Sequence, residues 1–394
     1  MNALRGNYDV LIVGGGIIGT AIACSLKQQS PAIELAVIEP DPTYEFASTP
    51  RASGGARRLF SCPENIAMSH YSIDFIKRFG ELMSVDGAPA PVDWKEQGYL
   101  FIVQGASAVR VLEENAAVQR SFGADIRLLD REGVHTLFPS MRVDDIDGAA
   151  YSPGDGWCDP NSFLQGMRRK ARSLGVEYVQ ARVTDFINSG GRLTGAVLST
   201  GDRPKAEMFV NAAGAWSAQV SAMAGMALPV SPLRRFEHFF TGQNRIEPLP
   251  YVKDLQRLAF RPEGNGYSGG LVNSHEPRGF NFEVDHDYFE RAVWPALAHR
   301  FPSAFEGVKC HRTWSGLYEQ CELDGNPIIG SWTGHHENFH VATGFSGHGM
   351  MHAPAVGRAV AELILHRRYE TIDLSRLGYG RVLRNEPYAE RGIL

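Results

Sequence analysis

The amino-acid sequence predicts an α/β fold built around a parallel sheet, and three observations favour this class. An apolar strand at residues 10–13 runs into a glycine-rich turn at residues 14–19, an amphipathic helix and a second apolar strand that ends at Glu39. Similar strand and glycine signals return at residues 175–216 and 339–366. Alternating aromatic strands within residues 227–320 indicate a further, mostly antiparallel sheet.

The first strand–turn–helix unit has the features of a Rossmann-type dinucleotide-binding fold. Gly14 permits a sharp turn, Gly16 lacks a Cβ so that a pyrophosphate can approach the backbone, and Gly19 lets the helix pack closely on the sheet. The helix N-terminus offers unpaired N–H groups to phosphates. Glu39, 25 residues after Gly14, can accept hydrogen bonds from ribose hydroxyls. The segment therefore predicts nucleotide binding.

Composition excludes several classes of protein. The chain has 394 residues, 43% of them apolar, a net charge of −5 and dispersed basic residues, so nucleic acid is not expected as a partner. Its five cysteines form no CxxC pair, which predicts free thiols in a reducing compartment and no metal site. The first strand begins too early for a signal peptide, and no apolar run approaches the ~20 residues of a membrane span. We expect a soluble cytoplasmic protein.

The separated nucleotide-type signals predict a domain assembled from discontinuous pieces. Residues 1–85, 151–225 and 325–394 are assigned to the nucleotide domain. Residues 86–150 and 226–324 carry short strands of another character and are assigned to a β-rich substrate domain. The substrate is expected where the two domains meet.

Five motifs in this order resemble the D-amino acid oxidase (DAO) family of FAD-dependent amine oxidoreductases, which includes glycine and sarcosine oxidases. They are the glycine turn with Glu39, the small-residue block at 47–55, VNAAGAWS at 210–217, WSGLYEQCELDGNPIIG at 314–330 and ATGFSGHGMMHAPAVGRAVAELI at 342–364. Within the family, the chain most resembles the FAD-dependent oxidoreductase domain-containing and sarcosine–glycine oxidase-like proteins. The resemblance implies FAD rather than NAD, and no second glycine fingerprint is present for a nicotinamide cofactor.

The glycine turns and the resemblance together predict the residues that bind the cofactor. They are Gly14, Gly16, Ile17, Ile18, Gly19, Glu39, Pro40, Ala47, Ser48, Ala52, Ser53, Gly54, Gly55, Val183, Ala213, Gly214, Gly344, Gly347, His348, Gly349 and Met350. The resemblance implies that Val183 meets adenine through its backbone, and that the helix after residue 349 stabilises negative charge on the flavin. Sarcosine oxidases attach the flavin to a cysteine at the position of Gly316, so non-covalent FAD is expected here.

A smaller set of residues is predicted to carry the chemistry. Arg57 matches the family position whose cation faces the flavin, while His348 and Tyr318 are further catalytic candidates with equally good structural readings. Arg261 is a candidate for gripping a substrate carboxylate through its guanidinium fork. The other substrate-binding candidates in the β-rich domain are His238, Tyr267, Arg234 and Arg235.

The resemblance implies an enzyme that oxidises the C–N bond of an amino acid or N-substituted glycine by hydride transfer to flavin N5, with hydrolysis of the imine. No dedicated general base is obvious, and the electron acceptor, oxygen or a carrier, is left open. Three alternatives stand beside this hypothesis: an FAD-dependent 2-hydroxy acid dehydrogenase of the same fold, a non-catalytic FAD-binding assembly factor and, more weakly, a NAD-dependent dehydrogenase. The first needs a base for the hydroxyl, and the second would bind FAD without being reduced.

Overall fold

The computed structural model describes residues 5–254 and 257–392, and most strands in this part of the chain belong to two eight-stranded sheets. The ends of the predicted nucleotide domain at residues 1–4 and 393–394 lie outside the described residues. The strands, in chain order, are β1 (Asn7–Val13), β2 (Leu35–Ile38), β3 (Gly55–Ala56), β4 (Tyr99–Val103), β5 (Arg127–Leu129), β6 (Gly148–Ser152), β7 (Gly156–Trp157), β8 (Glu177–Val179), β9 (Val183–Ser189), β10 (Arg192–Leu198), β11 (Lys205–Asn211), β12 (Val230–Gly242), β13 (Tyr251–Lys253), β14 (Leu258–Glu263), β15 (Gly266–Leu271), β16 (Val308–Cys321), β17 (Ile328–Ser331) and β18 (Phe339–Thr343).

The helices lie between these strands and mostly carry one buried face. They are α1 (Ile17–Gln29), α2 (Pro63–Lys77), α3 (Phe79–Leu82), α4 (Ala106–Ser121), α5 (Arg131–Leu137), α6 (Pro160–Ser173), α7 (Ser217–Met223), α8 (Trp294–Arg300), α9 (Pro302–Phe305), α10 (Gly349–His366) and α11 (Gly380–Leu383). Short 3₁₀ turns occur at Thr49–Arg51, Gly214–Trp216 and Ser375–Leu377, and a π-helical turn at Phe289–Val293 precedes α8.

The first sheet has the strand order β17-β18-β11-β1-β2-β8, with β9 and β10 attached beyond β11. β1 is its centre and pairs in parallel with both β2 and β11. Residues 10–12 of β1 are at most 1% exposed, because helices cover one side of the sheet and the β9–β10 hairpin packs on the other. A strand buried on both faces reads as a continuous apolar run, which is the pattern of residues 10–13. The predicted α/β class is confirmed.

The second sheet has the order β16-β12-β15-β14-β13-β4-β6-β5 and is antiparallel except where β13 runs beside β4. The long strands β12 and β16 pair along their whole length, from Val230 opposite Cys321 to Gly242 opposite Val308. The π-helical turn and α8 pack on this sheet. The predicted inserted antiparallel sheet is therefore present.

The two sheets draw on the chain segments that the sequence assigned to two domains. One strand departs from this division, because β6 crosses the proposed limit at residue 150. The exact domain limits stay a prediction. In the described part of the chain, no helix is both long and apolar enough to cross a bilayer.

Candidate active site

A cavity of about 750 Å³ is lined by residues of both sheets. Its wall includes Gly14 and Gly16 of the turn after β1, together with Glu39 after β2. Its wall also includes Arg235 and Glu237 of the second sheet. Ligands of open α/β sheets bind outside the carboxyl ends of the strands, which is where this turn lies.

The glycine turn has the geometry that close packing requires. Gly14 has a φ of +102°, and a Cβ there would lie 2.4 Å from the carbonyl oxygen of Ala212. At Gly19 a Cβ would lie 1.9 Å from the carbonyl oxygen of Gly14, so this residue permits the contact between α1 and the turn. A Cβ at Gly16, in contrast, would meet only the Thr49 hydroxyl, at 3.8 Å. The backbone in front of Gly16 is thus open to the cavity.

Glu39 lies in the cavity wall close to the glycine turn. Its carboxylate accepts hydrogen bonds from the N–H of Gly15 at 2.8 Å and from the N–H of Asp41 at 2.9 Å. Burial raises the pKa of Glu39, while these two N–H groups act in the opposite direction. Each carboxylate oxygen retains a lone pair, so the group can accept further hydrogen bonds from hydroxyls in the cavity.

The loop after Glu39 ties the two sheets together beside the cavity. The hydroxyl of Ser48 donates to the carbonyl of Leu317 at 2.6 Å, and the indole of Trp314 donates to the carbonyl of Arg51 at 3.1 Å. Tyr251 donates its hydroxyl to Ser53 at 2.9 Å. The small residues of this loop are therefore held by hydrogen bonds rather than exposed on a mobile surface.

Arg57 and His348 form a buried pair in the cavity wall. Arg57 is 1% exposed, lies over the ring of Phe60 at 3.9 Å, and places Nη2 3.3 Å from Nε2 of His348. Burial and the Arg57 charge hold the pKa of His348 well below its usual value, so the ring is neutral. Because the guanidinium can only donate, Nε2 is the acceptor and the ring proton resides on Nδ1. Within the described residues, Nδ1 has no hydrogen-bond partner.

The second sheet contributes a charged group of residues that the motifs did not single out. Glu237 and Lys253 line the cavity, as does Arg235, which was only a minor candidate. Burial lowers the pKa of Lys253 to about 7, and the nearby charges of Arg57 and Arg235 act in the same direction. Burial raises the pKa of Glu237 to about 7. The sequence signal for these residues was the alternation of polar and apolar side chains along β12 and β13. Only the pairing of the strands shows which face of each strand points at the cavity.

Most of the predicted cofactor-binding residues line this cavity. They are Gly14, Gly16, Ile17, Ile18, Glu39, Pro40, Ala47, Ser48, Ala52, Ser53, Gly54, Gly55, Val183, Ala213, Gly214, Gly347, His348, Gly349 and Met350. Gly19 and Gly344 do not line it. Gly344 has a φ of +76° and makes the turn after β18, where its N–H donates to Glu319 at 3.2 Å. Gly19 therefore permits close packing of α1 on the turn, and Gly344 permits the turn after β18.

The substrate-binding role of Arg261, His238 and Tyr267 stays a prediction, and the structure does not bring these side chains into the cavity wall. Arg261 donates from Nε to the carbonyl of Ser53 at 2.7 Å and forms an ion pair with Glu263. Its guanidinium is therefore already bound by these two residues.

The other two side chains face the core on the opposite side of the second sheet. His238 is fully buried and shares a hydrogen bond of 2.9 Å with Thr313. Tyr267 packs on the rings of Phe240 and Phe305. Arg234 pairs with Glu276 and also lies away from the cavity wall. The catalytic candidates Arg57, His348 and Tyr318, in contrast, all line the cavity.

The part of the chain that the structure describes contains no cluster of side chains suited to bind a metal ion. No group of three or more histidine, cysteine, aspartate or glutamate side chains there is arranged to hold an ion. The five cysteines are all free thiols.

A glycine-rich nucleotide turn that opens into a cavity shared with a second sheet defines a class of protein, one that holds a dinucleotide cofactor against a substrate site. Residues 9–363 match the family described as DAO, FAD dependent oxidoreductase, and the chain belongs to this family. It is therefore an FAD-dependent oxidoreductase.

The chain is also similar to individual proteins of known sequence or structure. The chain is 37% identical to FAD-dependent oxidoreductase domain-containing protein 1 of Xenopus laevis, over 98% of this chain and 85% of that protein. It is 26% identical to mouse mitochondrial dimethylglycine dehydrogenase, over 95% of this chain and 44% of that protein. Among solved structures, L-proline dehydrogenase from P. horikoshii superposes with a TM-score of 0.85 and 26% identity, covering 98% of this chain and 100% of that one.

The cavity wall fits FAD on its own chemistry. Three buried polar atoms in this wall lack a hydrogen-bond partner within the described residues: the Tyr44 hydroxyl, Nε of Arg235 and Nδ1 of His348. Buried polar atoms are normally paired, so these atoms indicate a polar ligand. With the open backbone at Gly16 and the carboxylate of Glu39, the wall offers acceptors for ribose and donors for phosphate and ring oxygens.

Proposed function

We propose that this protein oxidises the C–N bond of an amino acid or an N-substituted glycine, and that it holds FAD non-covalently. The observation that carries the proposal is the charged group in the cavity wall, in which Arg235, Glu237 and Lys253 offer partners for both an acid group and an amine. The names of two similar proteins, dimethylglycine dehydrogenase and L-proline dehydrogenase, point to the same substrate class.

Arg235 is the residue that we assign to the acid group of the substrate. Nε of Arg235 is buried without a partner in the described chain, while Nη1 reaches the carbonyl of Arg234 at 3.2 Å. A carboxylate beside Arg235 would satisfy this donor and would raise the lowered pKa of Lys253 again. The cavity therefore favours a ligand that brings a negative charge to the second sheet.

Bound FAD would supply the hydride acceptor for oxidation of the carbon next to nitrogen, and the resulting imine would be hydrolysed in water. Arg57 contributes a fixed positive charge in the cavity wall, where water is largely excluded. His348 contributes its Nδ1–H as a neutral donor. Gly316 has no side chain to attach a flavin, and no cysteine lines the cavity within the described residues.

The proposal is tested by an anaerobic substrate screen on the purified, FAD-loaded protein. The panel contains sarcosine, N,N-dimethylglycine, proline and common amino acids, with 2-hydroxy acids of matching carbon skeleton as controls. We expect loss of the oxidised flavin absorption with at least one amine, together with release of the corresponding amine or ammonia. Bleaching by hydroxy acids alone would replace the C–N assignment by C–O oxidation. Full FAD binding without any bleaching would favour a non-catalytic role.

A further inference from the structure

Glu237 is a half-buried carboxylate in the wall of the cavity. It lies on β12, and its Oε1 accepts the hydroxyl proton of Ser268 at 2.7 Å. Arg261, the cation whose charge acts on Glu237, forms its ion pair with Glu263 instead. Because this carboxylate lines the cavity, its free lone pairs can accept a hydrogen bond from a bound ligand.

The spacing along β12 places this carboxylate beside the assigned acid site. Residues two apart on a strand point to the same face and are separated by about 6.6 Å. Arg235 and Glu237 therefore present a cation and an anion side by side to the cavity. An amino acid carries the opposite pair of charges one carbon apart, so its acid group and its amine match the two residues.

We propose that Glu237 binds the substrate ammonium and accepts its proton, which makes it a catalytic residue of this oxidoreductase. This inference rests on the proposed oxidation of a C–N bond. The proton moves from the substrate nitrogen to a carboxylate oxygen of Glu237, and the nitrogen regains its lone pair. Glu237 becomes a neutral acid, and no electrons leave the substrate in this step. A neutral amine is then ready to lose a hydride from the neighbouring carbon.

The neighbours of Glu237 permit it to change charge near neutral pH. Burial raises the pKa of Glu237 to about 7, whereas the Ser268 hydroxyl and the Arg261 charge act to lower it. The charged and titratable groups that surround it are Tyr251 and Lys253 on β13, Arg261 and Glu263 on β14, Tyr318 on β16 and Arg235 on its own strand. A base must be ionised to accept a proton, so reduction should become faster as pH rises through this pKa.

The first test compares the wild type with Glu237→Gln, both loaded with FAD, using the best amine from the screen. For the wild type, we expect the second-order rate of anaerobic flavin reduction to rise with pH and level off above about pH 7. Glu237→Gln should be slower by roughly 10²-fold or more and should lose this rise. Ser268→Ala keeps the carboxylate but removes the donor that stabilises its charge, so it should shift the rise to higher pH.

A matched control is available elsewhere in the fold. Glu247 also accepts a serine hydroxyl, from Ser140 at 2.6 Å, and does not line the cavity. Glu247→Gln should keep the wild-type rate and pH profile. Unchanged rate and profile in Glu237→Gln would overturn the inference while the proposed function stands. If no amine reduces the wild type, the proposed function fails and this inference falls with it.

A binding measurement adds a readout that does not depend on turnover. Betaine (trimethylglycine) and 3,3-dimethylbutanoate have the same shape and the same carboxylate, but only betaine carries a cation, and neither has an N lone pair to support hydride loss. Titration calorimetry should show tighter binding of betaine to the wild type, and Glu237→Gln should remove that preference. Equal affinity of the wild type for the two probes, including no binding of either, would overturn the placement of the amine beside Glu237.

Discussion

Single residues decide the electrostatics of this cavity. Arg57, Lys253 and Arg235 bring positive charge to its wall. Burial lowers the pKa of each of these groups. Glu237 and Glu319 show the reverse, with pKa values raised to about 7 by burial. The cavity therefore contains groups that titrate near neutral pH although their ordinary pKa values lie far from it.

Replacing Arg57 by Met should slow anaerobic flavin reduction by roughly 10²-fold, because one preorganised charge is lost from a water-excluded site. FAD should remain bound, since the glycine turn and Glu39 are untouched. The flavin reduction potential should fall, because the reduced, electron-rich ring loses a stabilising cation. Arg57→Lys, which keeps the charge, should recover part of both effects. An unchanged rate and potential in Arg57→Met would remove Arg57 from the mechanism.

Glu319 should make stability depend on pH. Its carboxylate accepts the Thr343 hydroxyl at 2.7 Å and the Gly344 N–H at 3.2 Å, and burial raises its pKa from 4.5 to about 7. The folded state then binds more protons than the unfolded state between about pH 4.5 and 7, so the free energy of unfolding contributed by this group falls as pH rises through that window.

Glu319→Gln should flatten this fall, by at most about 3 kcal/mol across the window. The measurement is urea unfolding of both proteins at a series of pH values. The control is Glu322→Gln, which alters an exposed carboxylate paired with Arg278. An identical pH dependence in the wild type and Glu319→Gln would contradict the assignment.

At the scale of elements, glycines set how closely the helices of the first sheet approach. α10 crosses α1 at Gly357, where a Cβ would lie 2.7 Å from the backbone of Ala21. Since backbone atoms cannot move aside as the end of a flexible side chain can, the two helices would have to separate. α1 begins at the glycine turn, and α10 begins beside His348, so the packing of the two helices positions both of these parts of the cavity wall.

Gly357→Ala should therefore destabilise the protein by about 1–3 kcal/mol. The intrinsic helix propensity of alanine acts the other way, by about 1 kcal/mol, so the sign of the effect separates the two causes. The control is Gly80→Ala in α3, where a Cβ makes only an ordinary contact of 3.5 Å with the carbonyl oxygen of Ala90. Thermal unfolding should show a lower Tm for Gly357→Ala alone, and a raised Tm would refute the packing argument.

At the scale of the whole molecule, a C-terminal segment returns to the cavity. Glu390 lines the cavity and accepts hydrogen bonds at the start of α2, from the backbone N–H of Ser61 and Cys62 and from the hydroxyl of Ser61 at 2.5 Å. Tyr388 donates its hydroxyl to Glu64 at 2.8 Å. Residues more than 320 positions apart thus hold one helix terminus, which adjoins the Arg57 loop.

Glu390→Ala should lower the free energy of unfolding by about 1–2 kcal/mol, because the N–H groups of Ser61 and Cys62, immediately before α2, lose their acceptor. Glu386→Ala is the matched control, since Glu386 is an exposed glutamate of the same segment paired with Arg384. Chemical denaturation of the FAD-loaded proteins measures both. Equal stability of Glu390→Ala and the wild type would show that the capping carboxylate contributes nothing.

Local sequence by itself determined the nucleotide-binding unit, because its turn, helix and acid lie within residues 8–39 and each follows from short-range geometry. It also indicated the strands of the second sheet, for which alternation is a local signal. The FAD requirement and Arg57 came from motifs that resemble a family rather than from periodicity.

Only the tertiary structure decided which side chains of the second sheet meet the cavity. Shifting a strand by one residue exchanges its two faces, so the choice between Arg235 and Arg234, or between Glu237 and His238, depends on the pairing of β12 with β16 and β15. Arg261 was a reasonable carboxylate ligand by residue type, yet the fold gives its guanidinium to Ser53 and Glu263. Strand pairing joins residues far apart in the chain, and no local pattern records its register.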